Sequence, residues 1–207
     1  MGGGEMPYAR RDLLTWQPGM YYHIFNRGVH RMPIFREPEN YLFVLRHMKQ
    51  YSRDFQIAVI AYCLMPNHYH LLVRQDGDAP AGWLPQRVFN RYTKAYNKRY
   101  GHSGTLFEHR FQAKPVTDEA YLLHLCRYIH ANPVRDGLVL DPGQWPYSNY
   151  LEWVGERGGT LVDRAFVQTW VGHPSVYQEM VLDYLRGCEL PEPVRQFLEE
   201  LEKEKKK

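Results

Sequence analysis

Met65-Pro66-Asn67-His68-Tyr69-His70-Leu71-Leu72-Val73 opens with a Pro-Asn turn and runs into an apolar, partly β-branched segment. That is the pattern of a buried strand. Side chains alternate faces along a strand, so His68 and His70 point the same way. Two parallel imidazoles at the start of a strand suit a divalent metal but leave it under-coordinated. A third ligand, an oxygen, must then come from elsewhere in the chain. The same spacing also fits two histidines with separate roles, one buried and hydrogen-bonded, the other solvated.

A second segment bears on that choice. Asp118-Glu119-Ala120-Tyr121-Leu122-Leu123-His124-Leu125-Cys126 reads as a helix that continues into Arg127-Tyr128-Ile129-His130-Ala131-Asn132-Pro133-Val134-Arg135. Thr117 or Asp118 caps it, and its first turn is acidic, where the helix dipole favours negative charge. Leu122, Leu125, Cys126 and Ile129 form its buried stripe. Tyr128 and Asn132 lie one turn apart on one face, and Pro133 predicts that the helix ends at Asn132. A phenol and a carboxamide thus sit together at a helix end. The amide oxygen can serve as the missing ligand and the phenol as a nucleophile. A half-buried tyrosine with an asparagine finishing the helix fits the same pattern.

On either side of these segments strands and helices alternate. Residues 20–26 read as a strand, 38–51 as a helix, 56–62 as a strand, 75–80 as a loop, 83–100 as a helix stopped by Gly101, and 107–116 as an edge-type strand. Setting aside the tyrosine helix leaves β-α-β-β-α-β, the split βαβ order of ferredoxin-like domains. The expectation is an α+β fold: a ferredoxin-like split βαβ sheet with helices on one face, plus a small C-terminal helical appendage. Residues 1–14 read as a flexible leader, 15–140 as the main domain and 141–207 as the appendage. In the appendage Trp145-Pro146-Tyr147-Ser148-Asn149-Tyr150 reads as a packed aromatic segment. Trp153, Phe166, Trp170 and Tyr177 supply further apolar contacts, and Pro191 to Lys207 reads as a helix with a lysine-rich end.

Net charge is only +3 with a pI near 8.7, so a nucleic-acid surface has to be a local patch. The helix at 83–100 offers one. Arg87, Arg91, Lys94 and Lys98 make a basic stripe beside an inward stripe of Val88, Tyr92, Ala95 and Tyr96. No acidic residue stands between Asp78 and Glu108 to offset it. Phosphate backbones demand such a stripe, although an ordinary solvated helix face has the same spacing. Arg110, Gln112 and Lys114 on one strand face, and Arg27, His30 and Arg31 after a glycine turn, are further candidate DNA contacts. Cys63, Cys126 and Cys188 form no CxxC pair and fit reduced thiols in a cytoplasmic protein. No apolar run approaches the ~20 residues of a membrane span.

These residues together resemble a known family. His68-Tyr69-His70 is similar to the HUH motif: histidine, bulky apolar residue, histidine. With Tyr128-Ile129-His130-Ala131-Asn132-Pro133-Val134-Arg135 it resembles the single-tyrosine HUH transposases. Tyr22-His23-Ile24-Phe25-Asn26-Arg27-Gly28, Ala61-Tyr62-Cys63-Leu64-Met65-Pro66-Asn67-His68 and Gly104-Thr105-Leu106-Phe107-Glu108-His109-Arg110-Phe111 extend the likeness over roughly residues 15 to 150. Insertion-sequence members usually carry glutamine four residues after the tyrosine. Asn132 stands there in this chain, as in the REP-associated tyrosine transposase (RAYT) branch.

The resemblance implies the same fold, with the histidines on a central strand. It also implies a metal-dependent single-stranded DNA endonuclease and strand transferase acting beside hairpins. Tyr128 is then the nucleophile, and a covalent 5′-phosphotyrosine and a free 3′-hydroxyl are the products. His68, His70 and Asn132 would hold Mg²⁺ or Mn²⁺, which imidazole and amide oxygen suit better than thiolate-loving metals. The expected partner is single-stranded DNA with REP-type palindromic hairpins, bound by a monomer or a homodimer. Two other readings stand beside this one. A hairpin-binding regulator that no longer cuts has no need to keep all four site residues. An HUH replication initiator would more naturally carry a helicase-type phosphate loop, which is absent from the sequence.

Overall fold

The computed structural model of the chain describes residues 14–187. Its main elements are β1 Tyr21–Arg27, α1 Pro38–Asp54, β2 Ile57–Met65, β3 His68–Gln75, α2 Trp83–Tyr100, β4 Gln112–Val116 and α3 Glu119–Arg135, followed by α4 Tyr150–Trp153, α5 Arg164–Trp170 and α6 Pro174–Leu185. The four strands form one sheet in the order β2-β3-β1-β4, with every neighbour antiparallel. This is the split βαβ arrangement expected from the sequence. Cys188, the segment Pro191 to Lys207 and the leader up to residue 13 lie outside the described residues.

Register fixes the two faces. Met65 pairs with His68 across the Pro66-Asn67 turn, so β2 and β3 form a hairpin. β1 lies against β3 with Phe25 opposite His70 and Ile24 opposite Leu71. Alternation then sends Tyr22, Ile24, Tyr69, Leu71 and Val73 to one face, where α1 and α2 bury them. It sends His23, Phe25, His68, His70 and Leu72 to the other. Leu72 joins Ile60, Ala61, Cys63 and Met65 of β2 in a second core with Leu122, Leu125, Cys126 and Ile129 of α3. The two connecting helices share one face, as expected, while α3 and the C-terminal helices cover the opposite one. Coverage on both faces explains why β2 is apolar almost throughout.

The C-terminal residues close the β2 edge. The pairing of β2 with β3 shifts between Val59 and Ala61, a bulge that turns the Ile60 carbonyl away from the ladder. That carbonyl accepts from Asn149 Nδ2 at 2.8 Å and from Trp153 Nε1 at 3.1 Å. Trp145 Nε1 donates to the Leu64 carbonyl at 3.0 Å, and Leu64 N–H donates to Tyr147 O at 2.9 Å. Edge-strand groups that would otherwise invite another chain are thereby satisfied. Phe166, Tyr177 and Val181 of α5 and α6 complete the second core.

Two element boundaries differ from the sequence reading. Helix α3 runs through Pro133 to Arg135 instead of stopping at Asn132. Asn132 Nδ2 donates to the Tyr128 carbonyl at 2.7 Å, and Asp136 N–H donates to Asn132 O at 2.9 Å, so the last turn closes around the proline. Strand β4 begins at Gln112, not near Phe107. Phe107 makes only an isolated bridge with Gly28, and Glu108 N–H donates to Arg27 O, so the intervening residues leave the ladder. Arg110 is consequently an exposed residue ahead of β4 and does not share a strand face with Gln112 and Lys114.

Candidate active site

The site grows from β3 and its neighbour β1. His68 and His70 lie on the face covered by α3, their ring centroids 5.2 Å apart and their planes at 84°. Each ring is held at Nδ1. Asn67 Oδ1, from the turn before the strand, stands 2.7 Å from His68 Nδ1. His23 Nε2, from β1, stands 3.0 Å from His70 Nδ1. His23 is fully buried, and its ring lies near-parallel to those of Phe25 and His70 at centroid distances of 4.9 and 5.2 Å, with Phe25 and His70 themselves 5.9 Å apart.

Helix α3 brings Tyr128 to this pair. Its ring meets His70 edge-on with centroids 5.4 Å apart, and it has no exposed surface. Two turns later Arg135 places its guanidinium carbon 5.8 Å from the centroid of the Tyr128 ring and donates to Tyr184 Oη at 2.8 Å. Asp136 Oδ2 lies 3.9 Å from His68 Nε2. The amide of Asn132 is fully buried and donates from Nδ2 to the Tyr128 carbonyl.

Two residues after the tyrosine, His130 fastens α3 to the rest of the molecule. Its Nδ1 is 2.6 Å from Tyr177 Oη on α6, and its Nε2 is 2.9 Å from Asn149 Oδ1, which also accepts from Tyr62 N–H of β2. Burial lowers the His130 pKa from 6.5 to about 4, and burial together with the Arg127 charge lowers that of His124 to about 4. Burial pushes the Tyr177 hydroxyl well above the usual phenol range. At neutral pH both histidines are therefore uncharged, and Tyr177 stays a neutral phenol.

The donor set fits a hard or borderline divalent ion. Among the described residues no group of three or more His, Cys, Asp and Glu side chains can hold one. A metal at the histidine pair would use His68 Nε2 and His70 Nε2, and the expected amide oxygen of Asn132 with phosphate and water oxygens would fill the shell. That composition suits Mg²⁺ or Mn²⁺ rather than a thiolate-preferring ion.

The candidate DNA contacts divide between the two faces. Gln112 and Lys114 of β4 pair with Phe25 and His23, so both belong to the face of the site. Arg87, Arg91, Lys94 and Lys98 are exposed on α2, over the opposite face of the sheet. Exposed Arg46, Lys49 and Arg53 of α1 run beside that stripe, and Arg46 and Arg91 both press down the pKa of His47, after burial. Arg27 is ion-paired with Glu108. His30 and Arg31 are exposed in a turn with left-handed φ of 49° and 58°.

Sequence reading did not assign roles to His23, Asn67, His130 or Arg135. Strand alternation could have found His23, which shares parity with Phe25. No local signal points to Asn149 or Tyr177, whose contacts with α3 are long-range.

The model of the family described as transposase IS200 like matches residues 17–132. A Haemophilus influenzae candidate REP-associated tyrosine transposase is 29% identical over 139 residues, spanning 62% of this chain and 74% of that protein. The Escherichia coli K12 REP-associated tyrosine transposase is 24% identical over 127 residues, spanning 55% and 73%. A solved REP-associated tyrosine transposase bound to a REP hairpin shares the fold at 20% identity, with a TM-score of 0.60 over 76% of this chain and 94% of that one. The chain belongs to the IS200-like transposase family and, within it, is similar to the REP-associated tyrosine transposases.

Proposed function

We propose that this protein is a REP-associated transposase-type enzyme that cuts and rejoins single-stranded DNA beside a hairpin. The observation that carries the reading is the edge-on contact of Tyr128 with His70 inside one chain, 5.4 Å between centroids. The Tyr128 oxygen attacks the scissile phosphorus, the bond to the 3′ oxygen breaks, and a 5′-phosphotyrosine and a 3′-hydroxyl result. The phenol loses its proton and the departing oxygen gains one. The reverse attack by a 3′-hydroxyl rejoins a strand without a nucleotide cofactor. His68, His70 and Asn132 would hold Mg²⁺ or Mn²⁺, which when bound offsets charge developing on the phosphate oxygens. Arg135, with its guanidinium carbon 5.8 Å from the Tyr128 ring centroid, adds positive charge beside the nucleophile.

Family membership and the relatives named above support this reading. The partner is DNA carrying palindromic REP-type hairpins, with the duplex stem on the basic stripe of α2 and the unpaired strand at the site. One observation favours a second reading, that of a hairpin-binding regulator: Tyr128 has no exposed surface. A labelled single-stranded hairpin oligonucleotide with Mn²⁺, run on a denaturing gel, separates the two. The parent is expected to give a covalent protein–DNA band, and Tyr128→Phe is expected to give none while still binding the hairpin. A parent that binds the hairpin and yields no band establishes the regulator instead.

A further inference from the structure

We infer that His23 is a positioning residue: it sets the tautomer of His70, so that the Nε2 lone pair of that ring is presented for metal binding. The inference rests on the metal-dependent reading above and extends it to a residue on a different strand.

His68 shows the pattern first. Asn67 Nδ2 donates to the Arg31 carbonyl at 3.4 Å, which assigns the amide, so Asn67 Oδ1 faces His68 Nδ1 at 2.7 Å. An amide oxygen only accepts, so the proton of His68 sits on Nδ1 and the lone pair on Nε2. His70 is set the same way by a different group. Its Nδ1 shares a 3.0 Å hydrogen bond with His23 Nε2. A neutral imidazole has one donor and one acceptor nitrogen, so two rings joined in this way have only two arrangements. In one, His70 donates from Nδ1 and keeps Nε2 for a metal. In the other, His23 donates and His70 carries its proton on Nε2, where it would block binding. Metal ligation requires the first, with His23 accepting at Nε2 and protonated at Nδ1. Metal-ligating histidines generally have their second nitrogen held by such an outer partner.

The location of His23 fits this role. It is fully buried and belongs to β1, directly beside β3 in the sheet. Its ring lies within 16° of the plane of the His70 ring. The sheet itself therefore fixes the alignment, independently of the mobility of any loop.

The test measures Mn²⁺ affinity of the purified metal-free protein by electron paramagnetic resonance, without DNA, for the parent, His23→Phe and His23→Gln. Phenylalanine keeps a buried ring at this position and removes the acceptor, whereas glutamine restores an acceptor oxygen. The Phe variant is expected to bind Mn²⁺ about 10- to 100-fold more weakly, and the Gln variant to recover most of that loss. Parent-like binding by a folded Phe variant overturns the inference. So does a Gln variant as weak as Phe, since that outcome marks a packing role. A parent that binds no Mn²⁺ overturns the metal reading, and the role of His23 with it. A second measurement needs no variant. Histidine ring ¹⁵N spectra of the metal-free parent should show both His68 and His70 protonated at Nδ1, and a His70 protonated at Nε2 refutes the inference.

Discussion

Removing one oxygen from α6 tests how firmly the helix that carries Tyr128 is fastened. In Tyr177→Phe the hydroxyl that meets His130 Nδ1 at 2.6 Å is lost. Tyr177 and His130 are both fully buried, so water does not take its place. The loss is a buried hydrogen bond together with a stranded polar nitrogen, which costs about 2 kcal/mol. For a chain of this size that lowers Tm by about 5 °C. Tyr184→Phe is the matched control on the same helix. Its hydroxyl accepts from Arg135 Nη1 at 2.8 Å, but Arg135 is exposed and solvent replaces the partner. That change costs about 0.5 kcal/mol or less. Thermal melts followed by circular dichroism at pH 7.5 compare the two, with covalent-adduct rates measured well below both transitions. Tyr177→Phe should lose stability and slow adduct formation, because the turn that carries Tyr128 is loosened. Equal melting temperatures for the two variants would refute the claim that the His130 bridge anchors α3.

Three further outcomes are expected. Arg91→Ala with Lys94→Ala should weaken DNA binding for all sequences alike and flatten the log–log salt dependence by about 0.9 for each phosphate no longer neutralised on duplex, or about 0.7 on single strand; titrations at several salt concentrations that show no change would make the stripe a solvated face. In the metal-free protein His124 and His130 have folded pKa values of about 4 against 6.5 unfolded, so the unfolded chain binds protons first and stability, full above pH 6.5, falls as pH drops from 6.5 toward 4; urea midpoints that stay flat between pH 7 and 5 would contradict this. Chelation by EDTA, and His68→Ala or His70→Ala, should abolish cutting, whereas Asn132→Ala should impair it less because water replaces an amide oxygen; adduct gels across a Mn²⁺ titration decide the order.

Much of this architecture could be read from local pattern. The two-residue periodicity of the histidine strand put His68 and His70 on one face, and the register with β1 agrees. The order of elements gave the split sheet, and Gly101 ends α2 with a φ of 59°. What escaped depends on contacts between segments far apart in sequence. Pro133 disfavours helix locally, yet the Asn132 side chain and the closing Asp136 bond carry α3 past it. The opposite face was left open by the sequence because nothing in α3 says which side of a sheet its apolar stripe will meet. His23 gains meaning only when β1 pairs with β3. The stripe on α2 was readable as basic, but its position on the far side of the sheet from Tyr128 required the topology.

On the proposed cutting function, the complete burial of Tyr128 has a consequence for discrimination between strands. An enclosed phenol reacts with no passing phosphate, so every productive encounter includes an opening of its surroundings. An opening that costs about 3 kcal/mol leaves under one molecule in a hundred ready at any instant and weakens the apparent affinity of every strand by that factor. A strand that brings a hairpin can offset the cost with contacts made elsewhere on the protein, whereas a random strand cannot. Selectivity then needs no base reading at the scissile phosphate itself: it is a threshold, set by how tightly the tyrosine is closed in.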